Sequence, residues 1–231
     1  MTAIPIHVAN QLLIAKQHLA PEHVGSDVLS VARDIGGLHA TSPLSPYLSL
    51  WARVKGFKPE SLDTALYSDR HLLRFTCMRA TLHVVPTSLA PAYFQATKRR
   101  QRSSGRQLGL MLVRAGLCAE GTEGPALERL QDLVIETLRQ HGPLTVEELK
   151  QQAPELSAQL PYATDKPYAG TFGLGSRLVS WMCASGVLVR GRPRGSRRSN
   201  LYEYHLLRHW LPGLDLEAPA PEAAEVSLVR S

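Results

Sequence analysis

Apolar positions in the second half of the chain keep a helical period through three stretches and a two-residue period through two more. Leu127, Leu130, Val134, Leu138 and His141 recur near helical spacing, which predicts a helix over Leu127–His141 stopped by Gly142-Pro143. Thr145 is placed to cap a short helix, Val146–Gln152, and Glu148 three residues on completes a capping box. After a polar stretch, Leu174, Leu178, Trp181 and Met182 share one face of a predicted helix over Thr171–Ser185. Val187–Val189 and Leu201–Tyr204 then read as strands flanking a loop in which Gly191, Pro193 and Gly195 oppose helix, the signature of a hairpin. Helix, turn, short helix, loop, helix and hairpin is the layout of a winged helix, whose third helix enters the major groove while the wing tracks the backbone or minor groove.

The first half carries the same grammar less openly. Asn10–Leu19 and Asp27–Ile35 read as amphipathic helices capped by Asn10 and Ser26. Tyr47, Leu48, Trp51 and Val54 group on one face of Ser45–Val54, and Pro59 opens a helix to Tyr67. Tyr47, Trp51 and Trp181 are expected in the core, since they lie on apolar faces. Leu72–Cys77 and Ala80–Val85 read as paired strands, followed by a helix over Ser88–Arg99. A basic break runs from Lys98 to Arg106, and Glu120–Pro125 is the natural linker. The predicted fold class is mainly α with short β-hairpins, as tandem winged-helix domains. Residues 1–123 form the first and 124–212 the second, with 213–231 a linker and the start of a further helix.

Charge sharpens this picture. The 231 residues, 44% of them hydrophobic, suffice for one or two real cores. The net charge of +6 is unevenly spread. Arg70 through Ala119 contains no acid but holds Arg70, Arg74, Arg79, Lys98, Arg99, Arg100, Arg102, Arg106 and Arg114. Lys166 through Tyr202 is also free of acid, with Lys166, Arg177, Arg190, Arg192, Arg194, Arg197 and Arg198. These windows hold sixteen of the 26 Lys and Arg residues, so two basic surfaces are expected. Five guanidiniums on one hairpin loop repel each other unless a polyanion neutralises them. A nucleic-acid partner follows from that clustering.

Other classes find little support. No apolar run approaches the ~20 residues that cross a bilayer and no charged leader opens the chain, which predicts a cytoplasmic, nucleoid-associated protein. Cys77, Cys118 and Cys183 are far apart and odd in number, giving neither a disulfide framework nor zinc spacing. His205 and His209 stand four apart without a nearby cysteine, so a structural role is expected for them, with no metal and no cofactor. Gly170–Arg177 reads as a loop entering a helix, whose backbone N–H groups face a phosphate, and not as a nucleotide fingerprint. No Ser–His–Asp set, paired-carboxylate motif or P-loop appears.

Three segments carry a family resemblance: Gly36-Gly-Leu-His-Ala-Thr-Ser-Pro-Leu-Ser-Pro-Tyr-Leu-Ser-Leu-Trp-Ala-Arg-Val, Leu62-Asp-Thr-Ala-Leu-Tyr and Phe75-Thr-Cys-Met-Arg-Ala-Thr-Leu-His-Val-Val-Pro. In order and spacing they resemble the winged-helix DNA glycosylases of the AlkZ/YcaQ type over roughly residues 10–210. The resemblance implies tandem winged helices around a DNA channel and excision of alkylated purines, crosslinked ones included. It also implies a third winged helix and a small β-barrel further on, with this chain stopping at Glu225–Ser231.

The family's water-positioning pair, a glutamine followed two residues later by glutamine or aspartate, aligns with His39 and Thr41. Neutral His39 has a lone pair that accepts a proton from water, and Thr41 has a hydroxyl that orients it. The contrary expectation is that both residues only cap or pack the next helix, with catalysis lost. His83 matches a cleft-bordering position and is equally readable as a buried, hydrogen-bonded histidine. DNA contacts are expected from Arg79, His83, Lys98, Arg99, Arg100, Arg102, Arg106, Arg177, Arg190, Arg192, Arg194, Arg197 and Arg198. The predicted protein is a monomer that acts on double-stranded DNA, alkylated or crosslinked, as a monofunctional glycosylase. The rival is a non-catalytic DNA-binding transcriptional regulator, which would bind a palindrome as a dimer.

Overall fold

The computed structural model describes residues 4–77, 81–162 and 169–218, which are mainly helical with small antiparallel sheets. The chain divides into two compact units, Met1–Gln95 together with Leu216–Ser231, and Ala96–Asp215. The division falls inside a long helix, not at the glycine-bearing segment near 120–126.

The first unit is built from α1 (Ile6–Lys16), α2 (Val28–Asp34), β1 (Leu38–His39), α3 (Ser45–Trp51), α4 (Pro59–Asp63), β2 (Leu72–Thr76), β3 (Leu82–Pro86) and the start of α5 (Ala90–Arg114). Helix α1 begins after Pro5, so Asn10 lies inside it and caps nothing. Helix α2 is capped by Asp27 and not Ser26. Asp27 is the last extended residue, and its carboxylate accepts the Ser30 N–H at 2.8 Å and the Ser30 hydroxyl at 2.6 Å. Those bonds hold its carboxyl below the usual range. Helix α4 passes into a π-helical turn, Thr64–Ser68, that buries Leu66 and Tyr67.

The sheet order is β1-β3-β2, antiparallel throughout. The register sets His39 and Phe75 on either side of His83, and Leu38 and Arg74 on either side of Val84. Side chains alternate along a strand, so the two rows lie on opposite faces. Arg74 was expected on a basic surface, yet it is only 2% exposed. Its Nε donates to the Tyr67 hydroxyl at 3.4 Å, and Tyr47 donates to Asp63 at 2.6 Å beside it. The Tyr67 hydroxyl offsets part of the cost of burying that guanidinium.

Helix α3 corrects another expectation. Pro46, Tyr47 and Leu50 are its buried residues, and Leu50 and Pro46 turn the inward face away from Leu48 and Trp51. Leu48 is 63% and Trp51 74% exposed. The spacing of Tyr47, Trp51 and Val54 is helical, but the core selects Tyr47, Leu50 and Val54.

Helix α5 runs unbroken through the expected basic break. Lys, Arg and Gln are good helix formers, and Gly105 serves packing: an added Cβ would lie 2.9 Å from the Trp181 indole nitrogen. Both residues belong to the second unit, where Trp181 packs against the core. That unit continues with α6 (Glu123–His141), α7 (Val146–Gln152), β4 (Gln159–Tyr162), β5 (Gly170–Gly173), α8 (Leu174–Ala184), β6 (Leu188–Pro193), β7 (Tyr202–Leu206) and α9 (Leu207–Trp210). Helix α6 starts at Glu123, so only the first part of Glu120–Pro125 is a turn; Pro125 sits in the first turn, where its missing N–H costs little. Leu127, Leu130, Val134 and Leu138 face inward as predicted. Each contributes about 1.5–3 kcal/mol of burial. The capping box of α7 is present in both directions, Thr145 with Glu148.

Between α7 and α8 the polar stretch holds a hairpin, β4 paired with β5. Gly170–Gly173 is therefore strand, and α8 begins only at Leu174. Pro161 and two glycines hide the strand pattern from a propensity reading. The predicted hairpin β6–β7 forms, and its second strand is bridged to Leu144. Gly191 belongs to β6 and not to the tip: a Cβ there would lie 2.4 Å from His205 Nε2. Of residues 213–231, Leu216 is buried and its carbonyl accepts the Gln95 side-chain N–H at 2.7 Å. The expected further helix over 219–231 lies outside the described residues.

The buried position predicts that Arg74→Ala costs about 1–3 kcal/mol, because the Tyr67 hydroxyl loses its donor. Arg99→Ala, on the exposed side of α5, should stay within about 0.5 kcal/mol. Urea unfolding of both variants checks the contrast, and equal losses would contradict it.

Candidate functional site

His39 ends β1 with its side chain exposed, and the ladder continues one residue past it, where the Ala40 N–H donates to the Leu82 carbonyl at 2.8 Å. Thr41 then leaves the sheet, exposed, and its hydroxyl lies 3.2 Å from His39 Nε2. Opposite, the His83 ring stands perpendicular to that of His39 with centroids 5.4 Å apart. The two positions singled out by sequence are thus in contact, and the third flanks them. Gly36 and Gly37, both at positive φ, bring the chain into β1. The Tyr93 hydroxyl donates to the Gly36 carbonyl, tying this entry to α5. Burial pushes the Tyr93 hydroxyl pKa up to about 12, so it remains a donor.

His83 is 7% exposed, which supports the buried, hydrogen-bonded reading. Its Nδ1 lies 3.2 Å from the Thr81 carbonyl. A carbonyl only accepts, so Nδ1 carries the proton and Nε2 keeps its lone pair. Burial holds the imidazole below its usual pKa and the neighbouring His39 adds to this, against the Thr81 bond. His83 is therefore neutral at neutral pH. Cys77, at the end of the same sheet, is buried and its thiol is pushed far up, which leaves it inert.

At 3.2 Å the Thr41 hydroxyl and His39 Nε2 touch each other directly, so a water lies beside the pair and not between them, and the imidazole takes its proton once Nε2 turns from the hydroxyl to the water. Among the described residues no group of three or more His, Cys, Asp and Glu is arranged to hold a metal. A cavity of about 430 Å³ in the same unit is lined by Asp27, Lys55, Phe57, Asp69 and His71 among others. Neither His39 nor Thr41 lines it.

The predicted DNA contacts fall into several groups. Arg99, Arg100, Arg102 and Arg106 are exposed along α5, with Lys98 half-buried beside them. Arg177 on α8 is exposed and stacks over Phe172, 3.7 Å from the ring centroid. On the wing, Arg192 and Arg198 are exposed and Arg197 is half-buried. Arg194 corrects the picture of an acid-free tip. It pairs with Glu203 at 2.7 Å and Glu148 at 3.4 Å, acids that lie outside the loop in sequence. Arg190 is not at the tip at all: it lies in β6 with its guanidinium buried, bonded to Tyr204. Arg79 lies outside the described residues. His205 packs on Trp210, ring centroids 4.3 Å apart, in the structural role expected of it.

Sequence reasoning missed the exposure of Trp51 and the interior place of Arg74. Leu50, completely buried, was the available signal for the first. For the second there was only the flanking pair Leu73 and Phe75.

A family model described as DNA glycosylase AlkZ-like matches residues 32–231. Among solved structures the chain is similar to the Streptomyces sahachiroi DNA glycosylase AlkZ, with 18% identity and a TM-score of 0.60 over 94% of this chain and 53% of that one. The chain thus spans about half the length of that structure. No curated protein matches the sequence.

Acidification tests the His83 assignment. A neutral imidazole whose pKa is lowered in the fold binds fewer protons than in the unfolded chain. Its stabilisation is complete above the unfolded value of about 6.5 and is lost as pH falls toward the folded one. Chemical denaturation between pH 7 and 5 should show stability falling, and His83→Gln should flatten that slope. An unaltered slope would mean that His83 is not the group responsible.

Proposed function

The chain belongs to the AlkZ-like DNA glycosylase family, and we propose that it binds double-stranded DNA through tandem winged helices and hydrolyses the N-glycosidic bond of alkylated purines. The observation that carries this reading is the 3.2 Å contact between Thr41 and the exposed imidazole of His39. N-glycosidic hydrolysis needs a water beside a sugar carbon that becomes oxocarbenium-like as the base departs. An alkylated purine is cationic and leaves as a neutral base, so the water needs positioning more than strong activation. Water oxygen bonds to the anomeric carbon as the carbon–nitrogen bond breaks, and His39 takes the proton that the water loses. Thr41 orients the water, while buried His83 backs the His39 ring and limits its rotation. As a positioning residue His83 need not touch DNA, which narrows its sequence-stated role.

Two basic surfaces support the duplex partner. Exposed arginines along α5 and at the tip of β6–β7 suit phosphates, which release counterions on neutralisation. The second unit supports the winged-helix reading: α6, α7 and α8 precede a hairpin whose strand β7 is bridged to Leu144 between α6 and α7.

Single-turnover incubation with duplex containing N7-alkylguanine, followed by detection of free base, tests the chemistry. His39→Ala should slow excision by the ~10²–10⁴-fold typical of a lost general base, with DNA affinity nearly unchanged. Thr41→Ala should cost less. A His39→Ala variant that excises at the wild-type rate would remove His39 from catalysis. Release of no base from any alkylated duplex would favour a non-catalytic DNA-binding regulator.

The wing is tested by salt. Replacing Arg192, Arg197 and Arg198 with alanine should flatten the log–log salt dependence of binding by roughly 0.9 per lost phosphate contact. Arg194→Ala should flatten it less than Arg198→Ala, since Glu203 and Glu148 already neutralise that charge. Equal effects for these two would mean that the Arg194 pairs open on DNA.

A further inference from the structure

The exposed face of α3 holds two large apolar side chains where solvent offers them no reason to be. Leu48 and Trp51, three residues apart, are adjacent on a helix surface, and the half-exposed Leu44 continues the row one turn back toward Thr41. Scattered exposed apolar residues are ordinary, but a tryptophan and a leucine side by side at 74% and 63% exposure form a patch. The surrounding sequence is charged in one sense only: from Ile35 through Pro59 there is no Asp or Glu, and Arg53, Lys55 and Lys58 follow the patch directly. Apolar aromatic surface followed along the chain by the exposed cations Lys55 and Lys58 suits a ligand that presents flat π-faces on an anionic backbone, which is a nucleic acid.

The helix is anchored for such a role. Its start is joined to the His39–Thr41 strand end by residues 42–44, and Pro43 there is buried. Its far end is held by the pairing of Val54 with Gly25, in which the Gly25 N–H donates to the Arg53 carbonyl at 2.8 Å and the Lys55 N–H to the Gly25 carbonyl at 3.0 Å. Trp51 is therefore carried on a rigid element adjoining the candidate site.

We propose that Trp51, supported by Leu48, is a wedge that stacks against the bases beside the damaged nucleotide and holds them unstacked. This rests on the glycosylase reading. A base whose glycosidic bond is to be reached must leave the stack, and an inserted apolar side chain takes over the stacking it gives up. Trp51 acts as a positioning residue, since it reaches the neighbours of the lesion and not the reacting atoms.

A duplex with a tetrahydrofuran abasic analogue flanked by 2-aminopurine tests the wedge without any bond being cleaved. Binding of the whole chain should raise 2-aminopurine fluorescence, and Trp51→Ala should abolish the rise. Affinity for this duplex should weaken about tenfold or more, in line with stacking contributions measured by alanine substitution, while Trp51→Phe retains most of both. Thermal melting of Trp51→Ala should match wild type, as befits an exposed side chain. In parallel, the same duplex should shield Trp51 from acrylamide quenching; Trp210 is already buried and Trp181 packs on the core.

A Trp51→Ala variant that binds and unstacks like wild type overturns the wedge, even if the protein excises alkylated bases. Trp51-dependent unstacking with no base released from alkylated duplex leaves the wedge standing and overturns only the glycosylase reading. Shielding of Trp51 that rises with protein concentration in the absence of DNA assigns the face to self-association and overturns the proposal.

Discussion

Two residues, Leu38 and His39, attach β1 to β3, and that short ladder decides where the His39 imidazole sits. Because partners in an antiparallel pair project to the same face, the register that buries Leu38 beside Val84 also presents His39 beside His83. A slip of one residue would bury the histidine and expose the leucine. The burial of Leu38, at 1% exposure, is thus what orients the candidate base. The glycines before it, the Tyr93 bond to Gly36 and the Ala40 bond to Leu82 all act on the same few residues.

Polar groups in the first unit are arranged around this sheet in two ways. On the face with Val84, the buried Arg74 guanidinium donates to the Tyr67 hydroxyl beside the Tyr47–Asp63 bond. On the face with His83, one histidine is dry and neutral and the next is wet. The His83 ring stands perpendicular to the exposed one, with centroids 5.4 Å apart.

The wing of the second unit shows how a cluster of like charges is made tolerable. Its five arginines have separate fates. Arg190 is folded under the strands against Tyr204, Arg194 is paired with two glutamates, Arg192 is exposed within β6, and Arg197 and Arg198 stay at the tip. The pairing also joins the hairpin to the capping box of α7, since Glu148 serves both. Folding thereby converts a run of repulsion into a braced loop with a smaller cationic end.

By itself the sequence determined the elements whose signals are local. The capping box of α7, the inward stripe of α6 and the β6–β7 hairpin depend on neighbours within one turn or one loop; they form as read, except that His141 at the end of the stripe is exposed and β6 runs on to Pro193. His39 and Thr41 were singled out by resemblance alone, and their 3.2 Å contact came from the fold. Only the tertiary structure decided which of several helical spacings on α3 is the core face, because Leu50 and Trp51 are distinguished by what packs against them. It also decided that Arg74 is interior, that Arg194 has acids from β7 and α7, and that Gly105 accommodates Trp181 and breaks no helix. Each of those outcomes turns on a partner remote in the chain, and neither charge counts nor period along the sequence carry that information.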